Sequence, residues 1–265
     1  MQRSERQRSI IRAVDSGRRT IEDLCALTGA SAITVRRDLA ELAEIGALAR
    51  VRGGAEPIAH RGSGFPFALR AGEHGGDKAS LAAAAAALVP DDASVLVDNG
   101  TTAVAVARAL AGRRIRALAL SLHAAAALGA RPGAEVRVPG GTIVHDDLSF
   151  AGVGALQAVR ETRFDVAILG ACAASPESGL TVAGWEDAQV KREAIAQSRR
   201  VVLVVTTDKL ERTAAHRFAT FDDVDVVVTT ADASADLLHP IRAAGAELVP
   251  VRPDPSSHGP RAAAR

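Results

Sequence analysis

The sequence predicts an α/β chain in two parts, a small helical segment up to about residue 48 and alternating strands and helices from residue 77 onward. Three observations predict it. Apolar residues recur at helical spacing in the first part. Short Val/Ile/Leu runs without alternation punctuate the second, as strands buried on both faces do. Between them lies a stretch rich in glycine and proline, Arg52-Gly53-Gly54-Ala55-Glu56-Pro57 and then Arg61-Gly62-Ser63-Gly64-Phe65-Pro66. The expected division is therefore residues 1–56, a linker at 57–66, an α/β domain at 67–251, and a tail at 252–265 without periodicity, expected to be disordered.

The 265 residues are 48% apolar and 24% charged, an ordinary globular balance that excludes wholesale disorder. No apolar run reaches the ~18 residues of a membrane helix; the nearest, residues 81–89, stops at Pro90. No apolar signal segment follows Met1. Cys25 and Cys172, one in each half, form neither a metal cluster nor a disulfide framework. The expectation is a cytoplasmic protein with no membrane partner, metal or cofactor. A net charge of +1 excludes a globally basic coat, yet residues 1–19 carry six arginines against Glu5 and Asp15. A positive arm of this kind is what phosphate attraction would use, though charge alone favours a solvated helix face.

In order along the chain, Ile10, Ile11 and Val14 share one face of a first helix. Ile21, Leu24, Cys25 and Thr28 follow the i, i+3, i+4, i+7 rule in a second. Thr28-Gly29-Ala30 breaks the pattern, and Ser31 suits the N-cap of a third helix because its hydroxyl can accept an orphan backbone N–H. Helix, short glycine turn and helix make a helix-turn-helix. In the third helix Val35, Leu39 and Leu42 form the buried stripe. At 100° per residue Ile33 and Arg37 lie opposite, flanked by Thr34 and Arg36, while Asp38 points to the core edge as an intramolecular partner for an arginine. Guanidinium forks, a hydroxyl and an apolar group are the kit that reads a DNA major groove. After Gly46, the alternating run Ala47 to Gly54 can fold as a wing hairpin, with Arg50 and Arg52 on one face of its strand, in reach of phosphate or the minor groove. A three-helix dimerisation module without DNA contact is the bland alternative.

In the second part, strands are expected at 94–97, 116–120, 135–138, 165–169, 201–205, 224–228 and 247–251. Helices are expected at 101–110, 123–128, 186–198 and 233–244. Such a parallel sheet binds ligands at the carboxyl ends of its strands. There the sharpest feature is Asp98-Asn99-Gly100-Thr101-Thr102, a strand entering a helix. Gly100 permits close backbone approach, the helix start offers N–H groups and two threonines add hydroxyls, together an anion site fit for phosphate. A merely capped helix start is the alternative reading. Neither a dinucleotide fingerprint nor a P-loop is present. Gly140 and Gly141 follow a strand, Asp187 and Lys191 form an acid-first i, i+4 pair, and Lys209 follows another strand. Lys78, Lys191 and Lys209 are the only lysines in an arginine-rich chain, and a compact ammonium can contact phosphate as a point charge.

These residues closely resemble the DeoR-type transcriptional regulators. Ser31-Ala32-Ile33-Thr34-Val35-Arg36-Arg37-Asp38-Leu39, Leu42, Gly46 and Arg50-Val51-Arg52-Gly53-Gly54-Ala55 match the family's helix-turn-helix signature, with Arg52 where histidine is usual. Over about residues 67–230 the pieces Phe67-x-x-Arg70, Lys78, Asp98-x-Gly100-Thr101-Thr102, Gly140-Gly141, Ser149-x-x-Gly152, Leu169-Gly170, Gly179-Leu180-Thr181, Asp187-x-x-x-Lys191 and Lys209 resemble its sensor domain. The resemblance implies a winged helix-turn-helix followed by an α/β sensor similar in fold to ribose-5-phosphate isomerase and CoA-transferase enzymes. It also implies a phosphorylated metabolite, sensed and not turned over, with its phosphate in the Asp98–Thr102 loop. Two departures fall near the expected ligand: Ser121-Leu122-His123 where the family has Thr-Asn-Ser, and Thr206 where it has aspartate, with Asp208 two positions on.

The expected protein is a repressor, not an enzyme, and its partners are operator DNA, a small phosphorylated effector and at least one further copy of itself. DNA-binding residues would be Ser31, Ile33, Thr34, Arg36, Arg37, Arg50 and Arg52. Effector-binding residues would be Asp98, Gly100, Thr101, Thr102, Gly140, Gly141, Asp187, Lys191 and Lys209. The rival is a sugar-phosphate isomerase or CoA-transferase-like enzyme carrying a DNA module, with Asp98, Glu186 or Asp187 as its base.

Overall fold

The computed structural model describes residues 3–15, 17–44, 47–57, 67–71 and 75–252. Gly46, residues 58–66 of the expected linker and residues 253–265 of the expected tail lie outside the described residues. The chain forms two compact units, one ending at Arg70 and the other starting at Ala71.

The first unit runs α1 (Arg3–Asp15), β1 (Arg19–Thr20), α2 (Ile21–Thr28), α3 (Ala32–Glu44), β2 (Ala49–Val51) and β3 (Gly54–Glu56). Ile10, Ile11, Val14, Leu24, Val35, Leu39, Leu42, Leu48 and Ala55 are buried together, the inward faces that helical spacing anticipates. Thr20 and Asp23 form a reciprocal capping box at the start of α2, and Gly29 ends it at φ +68°. Ser31 caps α3 by accepting from the Thr34 amide at 3.3 Å. The wing is a three-stranded antiparallel sheet in the order β1-β3-β2. Its two glycines do different jobs. Gly53 turns the hairpin at φ +83°, whereas Gly54 lies so close to β1 that a Cβ would sit 1.9 Å from the Arg19 carbonyl oxygen. The two-residue β1 is absent from the sequence expectation.

Helix α4 (Phe67–Ala71) spans the division. The second unit continues with α5 (Gly75–Ala87), β4 (Ser94–Val97), α6 (Gly100–Leu110), β5 (Arg116–Ala119), α7 (Leu122–Leu128), β6 (Glu135–Arg137), β7 (Thr142–Ile143), β8 (Phe150–Ala151) and α8 (Gly152–Arg160). There follow β9 (Val166–Leu169), β10 (Ala173–Ser175), β11 (Gly179–Val182), α9 (Trp185–Ala196), β12 (Val201–Val204), β13 (His216–Ala219), β14 (Val226–Thr230), α10 (Ala235–Ala243) and β15 (Glu247–Val251). All seven expected strands pair in one sheet, β15-β14-β12-β9-β4-β5-β6, and every pairing is parallel. Strand residues alternate between two cores. Val95 and Val97 pack with α5, α6 and α7, while Leu96 packs with α8, α9 and α10. Both faces are therefore dry, which explains the runs without alternation. Among the described residues no helix is long and apolar enough to cross a membrane.

The sequence expectation lacks α5, α8, the β7–β8 hairpin and a small antiparallel sheet, β10-β11-β13. The strand order has one functional consequence. Chain order runs outward from β4 through β5 to β6, then returns to β9 and runs the other way. The crossovers reverse between β4 and β9, the topological switch point where such sheets leave a crevice at their carboxyl ends.

Candidate nucleic-acid interface and effector site

Helix α3 divides cleanly. Val35, Asp38, Leu39 and Leu42 are buried, and Arg36 and Arg37 are exposed. Ile33 is 79% exposed, an apolar side chain facing water at the first turn. Asp38 faces inward, where Arg6 donates to it through Nε at 2.6 Å and through Nη2 at 3.2 Å. The acid in the Arg-Arg-Asp run is thereby neutralised by α1, and the face carrying the two arginines keeps its positive sign. Arg37 lies 3.4 Å from Glu41 one turn on. Glu41 is also held by Arg3 and, at 2.8 Å, by Gln7, and the Arg3 hydrogen bond draws its carboxyl below the ordinary value. Arg36 has no ion pair among the described residues.

Ser31 and Thr34 share a hydroxyl contact of 3.0 Å at the helix start. Arg50 is exposed on β2. Arg52 is exposed too, but not on the strand face the alternation implied, because β2 ends at Val51 and the chain turns through Arg52 and Gly53.

In the second unit, Asp98 ends β4 at the switch point and is fully buried. Its Oδ2 accepts the Gly170 amide of the β9 end at 2.7 Å and the Lys191 ammonium. Its Oδ1 is buried without a partner among the described residues. Lys191 comes from α9, which also carries Asp187 3.6 Å away, and Asn99 donates to Asp187 at 3.2 Å. Burial pushes the Asp187 carboxyl up to about 6, against the pull of Lys191 and with the repulsion of Asp98. Burial works against the Lys191 charge, but Asp187 and Asp98 outweigh it and hold the ammonium up to about 12. A lysine and two carboxylates 93 and 4 positions away thus pin α9 to the ends of β4 and β9.

With its side chain turned to Asp187, the N-cap residue Asn99 makes no cap bond to α6. Gly100 takes φ +83°, and the first-turn amides of α6 open at the sheet's carboxyl edge. Thr101 is half-buried there, and the Thr102 hydroxyl is buried with no partner among the described residues. Uncapped amides, a hydroxyl and the positive end of a helix dipole can hold an anion.

Lys209 donates to the Ala171 carbonyl at 2.8 Å, bridging the loops after β12 and β9. Gly140 and Gly141 instead occupy the turn between β6 and β7, with Gly141 packed near Gly154 of α8. The structure thus brings Asp98, Asp187 and Lys191 into contact, puts Gly100, Thr101 and Thr102 beside them and Lys209 at a neighbouring strand end. It places the glycine pair beside the first turn of α8. Sequence reasoning missed Asn99 and Gly170 as partners, and noted Lys78 only for the rarity of lysine. Helix α5 leads into the start of β4, so its own start lies at the carboxyl edge. It packs along α6, so the buried Lys78 shares the layer of Thr102.

Comparison with known proteins identifies the family. Residues 6–61 match the DeoR-like helix-turn-helix domain, and residues 73–231 match the DeoR C terminal sensor domain. The HTH-type transcriptional regulator GlpR of Haloferax volcanii is 32% identical over 93% of this chain and 97% of its own length. The glycerol-3-phosphate regulon repressor of Haemophilus influenzae is 32% identical over 86% of this chain and 90% of its own. Ribose 5-phosphate isomerase A from Methanocaldococcus jannaschii overlaps 50% of this chain and 53% of its own at 19% identity and a TM-score of 0.36, a likeness too loose to bear on function. The enzyme reading falls here, and the chain belongs to the DeoR family: it is a DNA-binding transcriptional regulator with a sensor domain.

Proposed function

We propose that the chain is a repressor whose grip on operator DNA is set by a small phosphorylated metabolite in the second unit. The observation that carries the DNA half is the outward face of α3. An isoleucine exposed to water between two arginines costs solubility and contributes nothing to the core, but it fits a groove wall with guanidinium forks for guanine edges and an apolar group for a thymine methyl. Arg36 and Arg37 read bases, Ser31 and Thr34 set the helix on the backbone, and Arg50 and Arg52 anchor the wing on phosphate.

The effector half rests on the open first turn of α6 at the switch point. The phosphate lies against the amides from Gly100 and the hydroxyls of Thr101 and Thr102. Asp98 does not repel it because Lys191 neutralises Asp98. The hydroxyl-bearing remainder faces Asp187 and Lys209, and the turn at Gly140 and Gly141 borders the crevice. A phosphorylated ligand also agrees with the Haemophilus relative, a glycerol-3-phosphate regulon repressor. One reading head spans few base pairs, so two copies face half-sites about one helical turn apart. The effector works by favouring one state of that assembly over another.

The test is Thr101→Val with Thr102→Val, assayed by release of operator DNA in the presence of glycerol 3-phosphate and a panel of sugar phosphates. DNA affinity should stay and the response to the active compound should vanish. An unchanged response would discard the loop as the phosphate site.

A further inference from the structure

The seven-stranded sheet has two edges, and they are built differently. The β15 edge carries Pro250, a residue that cannot donate a ladder hydrogen bond and so blunts a strand against pairing. The β6 edge, Glu135-Val136-Arg137, has no such guard. Its register on β5 determines which groups it offers. Glu135 donates to the Ile115 carbonyl, and residues of a parallel strand alternate. Glu135 and Arg137 therefore direct their peptide groups to β5, while Ala134, Val136 and Val138 direct theirs outward.

The side chains follow a matching pattern. Val136 is half-buried and packs on the core. Glu135 and Arg137 are exposed on the opposite face and paired to each other at 2.7 Å. Beyond them Val138 is 44% exposed, and Ile143 and Val144 of the next hairpin are 41% and 42% exposed.

We propose that β6 joins a second copy of this chain, strand to antiparallel strand, across a two-fold axis through Val136. This orientation is self-complementary. Val136 exchanges both backbone hydrogen bonds with the partner copy, and Ala134 and Val138 do the same with each other. Glu135 of each copy lies directly opposite Arg137 of the other, so the four charges alternate in sign. A two-residue slip, the smallest that keeps the outward peptide groups paired, would set like charges against each other, so the charges also fix the register. Val138 and the Ile143–Val144 hairpin end flank the seam and lose water with it. The surface deepens the two-headed regulator proposed above and rests on it for its purpose, since it supplies the symmetry that paired half-sites need.

The test is sedimentation velocity of the full chain over a range of concentrations. Wild type should be a dimer. Arg137→Glu, which faces glutamates with glutamates, should weaken dimerisation at least tenfold, and adding Glu135→Arg should restore it. Val136→Pro removes only an outward N–H, so the bonds to β5 stay, and it should give a monomer with an unchanged far-UV spectrum. A monomeric wild type would overturn the proposal. So would a dimer indifferent to Arg137→Glu and Val136→Pro, or an Arg137→Glu defect that the double reversal leaves in place. A wild-type dimer that ignores operator DNA would instead sink the DNA reading and leave this surface standing.

Discussion

Lys191→Met tests the electrostatics of the candidate effector site. The Lys191 side chain is 2% exposed and that of Asp98 is 0% exposed. Methionine keeps the length and loses the charge, leaving Asp98 buried with one oxygen on the Gly170 amide and the other without a partner. Breaking a buried pair from one side typically costs ~3–5 kcal/mol, because the remaining charge has lost its compensation. The same reasoning gives the rescue: Asp98→Asn in the Lys191→Met background removes the stranded charge and should recover more than half of the loss. Trp185, the only tryptophan in the chain, sits on the first turn of the same helix, so urea unfolding followed by its fluorescence reports this unit. A Lys191→Met loss below about 1 kcal/mol, or no recovery in the double variant, would refute the buried triad as the clasp on α9.

Three further outcomes are expected. The carboxyl of Asp187, raised to about 6 from an ordinary 3.8, contributes stability that is fully present below about pH 4 and lost as pH rises through 6. Asp187→Asn should therefore gain on wild type over that window, by ~1–2 kcal/mol after screening of its partly exposed side chain, whereas parallel pH profiles would remove the shift. Lys191, held up to about 12, adds nothing to that slope and loses its contribution only above pH 10.5. Gly54→Ala forces a Cβ to within 1.9 Å of the Arg19 carbonyl and should cost ~2–3 kcal/mol with faster amide exchange at Arg19 and Thr20; an unchanged melting curve would contradict the close packing of β1 on β3. Ile33→Ser should leave stability within about 0.5 kcal/mol, given its exposure, and still lower operator affinity; equal loss of both would place Ile33 in the core.

Local patterns were legible wherever one physical rule dominates. The inward stripe of α3 and the seven parallel strands follow from periodicity and from burial on both faces, and all of them are found. The inward turn of Asp38 follows from helical geometry, and Arg6 is its partner. What sequence alone could not reveal depends on distant pairing. Strand β1 exists because Gly54 admits it, not because Arg19-Thr20 favours a strand. The Asp98–Lys191 contact joins residues 93 positions apart, so the i, i+4 spacing revealed only the Asp187 half of the triad. Helix α5, nearly all alanine after Lys78, has too weak an apolar contrast to show a face. Strand alternation carried Arg52 one residue too far, since the turn begins where β2 ends. Gly140 and Gly141 turn the chain between β6 and β7, and their packing beside Gly154 of α8 is a contact that spacing along the chain cannot show.

The most direct measurement compares Arg37→Ala with Arg52→Ala in operator binding, on matched and scrambled sequences over a salt series. Arg37→Ala should cost ~1–3 kcal/mol on the preferred sequence and reduce discrimination, while Arg52→Ala should weaken every sequence alike and lower the salt slope by about one. Indistinguishable effects from the two substitutions, or none from Arg37→Ala, would contradict the placing of the outer face of α3 on the bases.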